Sequence, residues 1–241
     1  MNKETQQYLQ LAVERLRWVG RTQQEQIAKA GTAVAEAIAD GGLWYLFGSG
    51  HSHMLAEEAF YRAGGLVAVV PMLESGLMLH ESALQSSYLE RVPGYAQVIM
   101  DNRGLTQRDV LLVASNSGRN ALPVEMARLA RERGITTIAV TSLAHSSQAT
   151  SRDPSGMRLF EVAEIVIDNG APYGDALVEV DGAGMGPLST ITGAAIVNAI
   201  AIEAASQLRA EGKEVSTWVS ANVESGHSAT DYEQRGIPQP H

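Results

Sequence analysis

The sequence predicts an α/β fold organised on a mostly parallel sheet. Three observations carry this. Aliphatic and β-branched runs too short for helices recur at residues 43–46, 66–70, 110–114 and 136–141, and they are continuous rather than alternating. Glycine-bearing turns follow the first and third of them. Segments of helical period separate the runs, long enough for right-handed crossovers between parallel strands. Ligands in such sheets gather at the carboxyl ends of the strands, so both glycine turns should open on one edge.

In chain order, residues 3–40 read as helix in two pieces. Tyr8, Leu11, Ala12, Leu16 and Val19 mark one apolar face, and Ile27, Ala30, Val34, Ala37 and Ile38 mark the next. Gly20 is the expected break, Thr22 with Glu25 offers a capping box for the restart, and Asp40-Gly41-Gly42 closes the second piece. These residues form an expected N-terminal helical extension, 1–40, ahead of a domain at 41–212 and a tail at 213–241. The first strand runs into Phe47-Gly48-Ser49-Gly50-His51-Ser52-His53 and a helix to about residue 63. A buried strand at 66–70 and a polar interval at 74–107, with a helix near 84–89, come next. Then the plan repeats: strand 110–114, the turn Ser115-Asn116-Ser117-Gly118-Arg119-Asn120, and a helix over 121–133. Residues 136–141, 165–167 and 176–180 are the remaining expected strands. Pro187-Leu188-Ser189 leads into a long helix ending near residue 209.

Composition narrows the function classes. The 241 residues carry 18 Lys and Arg against 27 Asp and Glu, a net charge of −9, which disfavours nucleic acid and anionic membranes as partners. With no cysteine, disulfides, thiolate metal sites and cysteine nucleophiles are absent. The polar first residues and the interruption of the most apolar stretch by Asn198 and Glu203 fit a soluble, cytoplasmic protein.

The first turn has anion-binding character. Two glycines admit close approach of a ligand to the backbone, Ser52 supplies a hydroxyl, and the first helical turn presents free N–H groups. The bland alternative is a tight turn without a ligand. A dinucleotide is not expected, because His53 stands where the third glycine of G-x-G-x-x-G belongs and no ribose-binding acid is well placed. In the second turn Ser115 and Ser117 stand just ahead of Gly118 and the following helix and can donate to one phosphate without a lysine; the alternative is a serine-rich helix cap. Two such turns on one edge weaken both alternatives. His51 and His53 invite a metal, with Glu58 and His80 as conceivable further ligands, but alternating residues in a turn need not converge, so neither a metal nor any other cofactor is expected. No G-x-S-x-G elbow or P-loop lysine is present.

Gly48-x-Gly50-x-Ser52, Ser115-x-Ser117-Gly118 and Pro187-Leu188-Ser189-Thr190 together resemble the SIS (sugar isomerase) domain family over roughly residues 30–210. The full turns also look like those of a single-domain bacterial group of that family whose reaction is not assigned. The resemblance implies a three-layer αβα sandwich with a five-stranded, mostly parallel sheet, a homodimer or higher oligomer, and a phosphosugar ligand. It implies phosphate contacts from Ser52, Ser115, Ser117 and Asn120, with Gly48, Ser49, Gly50, Asn116 and Gly118 completing the two turns; family members often have Ser or Thr where Asn120 stands.

Aldose–ketose isomerisation of such a ligand needs a base to move a proton between C1 and C2 and a group to open the ring. Following the family pattern of a glutamate after the second strand, Glu74 is the expected base, with Glu81 and His80 beside it and His227 as a ring-opening candidate from the tail. Each has a plain alternative as a solvated loop or tail residue. A lyase or etherase acting on an amino-sugar phosphate would also need a carboxylate base. A non-catalytic phosphosugar sensor would need none, although residues 1–40 are too few for a DNA-binding domain and linker.

Overall fold

The computed structural model describes residues 1–220. Helices α1 (Lys3–Thr22) and α2 (Gln24–Ala39) precede β1 (Trp44–Gly48), a 3-10 turn (Gly50–His53) and α3 (Met54–Ala59). Strand β2 (Val69–Met72), α4 (Leu79–Leu89), α5 (Tyr95–Arg103), β3 (Val110–Ala114), α6 (Ala121–Glu132) and β4 (Thr136–Thr141) follow. The remainder is α7 (Leu143–Ser146), α8 (Leu159–Val162), β5 (Ile165–Asp168), a hairpin of β6 (Ala176–Val180) and β7 (Ala183–Pro187), and α9 (Ser189–Ala210).

The main sheet has five parallel strands in the order β2-β1-β3-β4-β5. Its strands are apolar at successive positions because both faces are covered. Trp44, Leu46, Leu112, Ile138 and Ile167 enter a core with α2, α3 and α9, while Tyr45, Phe47, Leu111, Val113 and Ala139 enter a second core with α5 and α6. This is the three-layer αβα sandwich that the sequence implied. Helix α9 is long and apolar enough to cross a membrane by composition alone. Here Ile196, Val197, Ile200, Ala204 and Leu208 pack it into the first core, so its apolar character serves the fold.

Three local expectations change. Helix α1 runs through Gly20 to Thr22, Gln23 separates it from α2, and the Thr22 hydroxyl donates to the Trp18 carbonyl at 2.9 Å instead of capping α2. The second strand starts at Val69, not residue 66. Leu66 bridges Thr217, and the Val67 N–H donates to the Ser216 carbonyl at 3.0 Å, so this apolar stretch is divided between the sheet and a separate contact with Trp218. Pro71 therefore lies inside β2, opposite Leu46, on an edge strand where a missing N–H is tolerated. Finally, residues 176–180 pair antiparallel with β7 outside the main sheet, across a turn in which Asp181 and Gly182 both have positive φ (49° and 80°). That is the twist-matched Asp-Gly hairpin turn.

Close approach of α2 and α9 depends on Gly31. A Cβ there would collide with Glu203 Cβ and stand 3.3 Å from the Ala204 nitrogen. Gly31→Ala is expected to lower the denaturation midpoint, since about 1–3 kcal/mol of overpacking outweighs a helix-propensity gain of about 1 kcal/mol. A raised midpoint would contradict this packing.

Candidate functional site

The turns after β1 and β3 lie side by side, because those strands are neighbours with Gly48 opposite Ala114. Their following helices, α3 and α6, pack on opposite faces of the sheet. The chain thus reverses direction across the sheet at this pair, which opens a crevice at the carboxyl edge.

The first turn is tightly folded. The Ser52 N–H donates to the Ser49 carbonyl at 3.1 Å, and a Cβ on Gly48 would lie 2.5 Å from the Ser52 carbonyl carbon. His53 is buried, with Nδ1 against the Gly50 carbonyl oxygen and Nε2 3.6 Å from Glu57 Oε1. Its ring is thus engaged in holding the turn, whereas His51 is exposed and faces the crevice.

The second turn is anchored on both sides. The Ser115 N–H donates to the Val140 carbonyl, and Ser115 Oγ accepts from the Gly118 N–H at 3.2 Å. Ser146 Oγ donates to the Ser117 carbonyl at 3.0 Å. Behind the turn, the buried Asn169 after β5 donates from Nδ2 to Asn116 Oδ1 at 3.0 Å. Asn120 begins α6 without capping it by its side chain. The Leu122 N–H of that first turn donates to the Glu90 carbonyl, and Pro123 has no N–H. An anion at this turn would therefore rely on the hydroxyls and on the backbone of residues 116–119 more than on α6 itself.

Ser52, Ser115 and Asn116 are brought together in the crevice, joined by His51, Asn169 and Thr190. Ser189 lies there too, but Asp175 holds it: the carboxylate accepts from the Ser189 hydroxyl at 2.6 Å and from the backbone N–H groups of Leu188 and Ser189. This carboxylate takes up two of the backbone donors at the N-terminus of α9.

Ser49 and Asn120 face a group without prominence in the sequence. Glu90, at the end of α4, accepts from Ser49 Oγ at 2.9 Å on Oε2 and from Asn120 Nδ2 at 2.8 Å on Oε1. One carboxylate therefore ties the two turns together across 41 and 30 residues of sequence. A lone glutamate at a helix end carries no local signal, so only tertiary structure reveals it; Asn169 was equally silent. Asn120 Oδ1 in turn accepts from Arg152 at 3.0 Å.

Of the expected catalytic residues, Glu74 lies away from the crevice. Glu74 follows β2 and pairs with Arg103, whose Nη2 and Nε donate to Oε1 at 2.6 and 3.2 Å. It opens onto a separate cavity of about 520 Å³ with Tyr95 and Ile99, which shares no lining residue with the crevice. Burial, then the Glu74 carboxylate, pushes the Tyr95 hydroxyl above its ordinary pKa. His80 and Glu81 are exposed at the start of α4, where the non-helical backbone of Ser82 divides them from the rest of the helix. His227 lies outside the described residues.

His145, on α7, stacks beside Tyr173 with ring centroids 4.7 Å apart. Burial lowers its pKa, Arg119 lowers it further, and Asp175 opposes both. Among the described residues, no three His, Asp or Glu side chains are grouped to hold a metal ion.

A family model described as the SIS domain matches residues 7–142. A UPF0309 protein of Geobacillus thermodenitrificans (strain NG80-2) is 42% identical over 233 residues, covering 96% of this chain and 92% of that protein. A UPF0309 protein of Listeria innocua is 42% identical over 219 residues, covering 90% and 89%. Among solved structures, a phosphoheptose isomerase from Francisella tularensis aligns with a TM-score of 0.56 at 17% identity, covering 85% of this chain and 98% of that one. A Bacteroides fragilis protein, described as a candidate phosphosugar isomerase involved in capsule formation, aligns at 0.53 and 18% identity, covering 96% and 94%. At these identities the structural likeness concerns the fold.

Proposed function

The chain belongs to the SIS domain family, and from that premise we propose that it binds a phosphosugar and interconverts its aldose and ketose forms. The observation that carries the reading is the adjacency of two hydroxyl-bearing turns at the reversal point between β1 and β3. Ser52, Ser115 and Ser117, with the backbone amides of both turns, hold the phosphate; Gly48, Ser49, Gly50, Asn116, Gly118 and Asn120 shape the turns that present them. The isomerase descriptions of the Francisella and Bacteroides fold relatives support the ligand class.

The base is a carboxylate that takes the proton from C2 of the aldose and returns it to C1, while O1 gains a proton to form the enediol and O2 loses one as the ketone forms. Glu90 is favoured, since its two oxygens touch a residue of each turn and each oxygen retains a lone pair. Glu74 is the second candidate, with Arg103 already on its carboxylate. Glu81, His80 and His227 remain candidates for proton transfer or ring opening. The working unit is a homodimer, which light scattering should report as twice the 25.7 kDa chain mass.

A second reading is a phosphosugar sensor without turnover. It is favoured by one observation: the two candidate bases, Glu90 beside the turns and Glu74 in the separate cavity, are both already engaged by donors in the free protein. NMR assays across a phosphosugar panel separate the readings. Glu90→Gln is expected to lower turnover about 10²–10⁴-fold, the usual contribution of a general base, while binding changes only a few-fold. Glu74→Gln, Glu81→Gln and His227→Ala assign the other roles in the same assay. Binding without turnover for every wild-type pair would establish the sensor instead.

A further inference from the structure

Three arginines adjoin the second turn, and none makes an ion pair among the described residues. Arg119 belongs to the turn, Arg152 donates to Asn120 at its end, and Arg91 follows Glu90. Arg152 stands within electrostatic reach of both Arg119 and Arg91 and of the Glu90 carboxylate, and its backbone N–H donates to the Arg119 carbonyl. Glu90 is already shared between Ser49 and Asn120. At Arg152 two further guanidinium charges are therefore set against one carboxylate, in a protein whose net charge is −9.

Arg119 adds a second, independent observation. Its Nε is buried and has no hydrogen-bond partner among the described residues. A buried guanidinium N–H left without an acceptor is costly, and the deficit is removed when an anion arrives. Arg152 and Arg91 are exposed, so such an anion can reach the cluster from solvent.

We propose that Arg119, Arg152 and Arg91 receive a second anionic group of the ligand, so that the preferred substrate class is a phosphosugar carrying a further carboxylate or phosphate. This rests on the phosphosugar reading above. One phosphate occupies the hydroxyl turns; the second charge lies across Asn120, where planar guanidinium forks match carboxylate and phosphate oxygens. A singly phosphorylated neutral sugar leaves the cluster unanswered.

Calorimetric titration with four probes tests this. Inorganic phosphate and glucose 6-phosphate report the hydroxyl turns alone; 6-phosphogluconate adds a carboxylate and fructose 1,6-bisphosphate a second phosphate. One of the last two is expected to bind at least about tenfold tighter than glucose 6-phosphate, the scale of one charge-assisted hydrogen bond, and which one it is names the group. Arg119→Met should bring that ratio towards one. Arg91→Met, at an exposed position that spares the fold, should reduce it several-fold. The proposal is overturned if neither doubly anionic probe gains over glucose 6-phosphate, or if the arginine variants weaken all four probes by one common factor. Failure of all four to bind the wild type would instead remove the phosphosugar reading, and this proposal with it.

Discussion

Gly48→Ala is expected to cost about 3 kcal/mol of stability and to weaken phosphate binding at least tenfold. The added Cβ would stand 2.5 Å from both the carbonyl carbon and oxygen of Ser52 and 2.8 Å from the His53 nitrogen. All three atoms are backbone, so no side chain can swing aside. The 3-10 turn must move away from β1, carrying the Ser52 hydroxyl out of the crevice and loosening the Ser49 contact with Glu90. Denaturant unfolding and phosphate titration read the two effects separately. Gly20→Ala is the matched control. Gly20 is exposed within α1, has nothing within 4 Å of an added Cβ, and should gain about 0.5–1 kcal/mol from helix propensity and reduced unfolded-state freedom. If both substitutions shift the midpoint in the same direction, the steric account of Gly48 is wrong.

Glu74→Ala is expected to destabilise the protein by about 2–4 kcal/mol. The Arg103 side chain is 7% exposed and that of Glu74 is 22% exposed, so this pair is far from a surface ion pair worth little. Removing the carboxylate leaves the guanidinium's charge in a poorly solvated place. Glu74→Gln keeps an oxygen acceptor for Arg103 and should recover part of the loss in thermal unfolding. The two variants also divide structure from chemistry. If Glu74 serves only the fold, Gln retains turnover in proportion to folded protein; if it is the base, Gln loses turnover while remaining folded. Equal midpoints for wild type and Glu74→Ala would show that the ion pair contributes nothing.

Much of the architecture was legible because burial on both sheet faces writes itself into sequence as unbroken apolar runs. The strands at 110–114 and 136–141 were therefore read at their observed bounds, and the helices beginning at Ala121 and Ser189 within a residue or so. Where one run serves two purposes, the reading slipped. Leu66 and Val67 look like strand interior, but they pair with the segment around Ser216 and Thr217, contacts some 150 residues away. The Asp181-Gly182 hairpin signal was present, yet β7 is Ala-Gly-Met-Gly-Pro and has little strand propensity of its own. The candidate site divides in the same way. The turns announce themselves through glycine and serine spacing, since backbone geometry is local. Glu90 and Asn169 contribute single side chains from distant elements, and nothing in their own neighbourhoods distinguishes them. Thr22 illustrates the opposite failure: its spacing to Glu25 suits a capping box, but the hydroxyl is used one turn back, on Trp18.

The proline in β2 also bears on how copies of the chain can meet. The sheet's two margins are only four residues long each, Val69–Met72 and Ile165–Asp168, and the first has Pro71 in it. A margin that is short and lacks one donor is a poor template for another chain's strand, which guards against open-ended stacking and fibril growth. If copies of the chain assemble into a closed oligomer, surfaces other than these margins would have to join them.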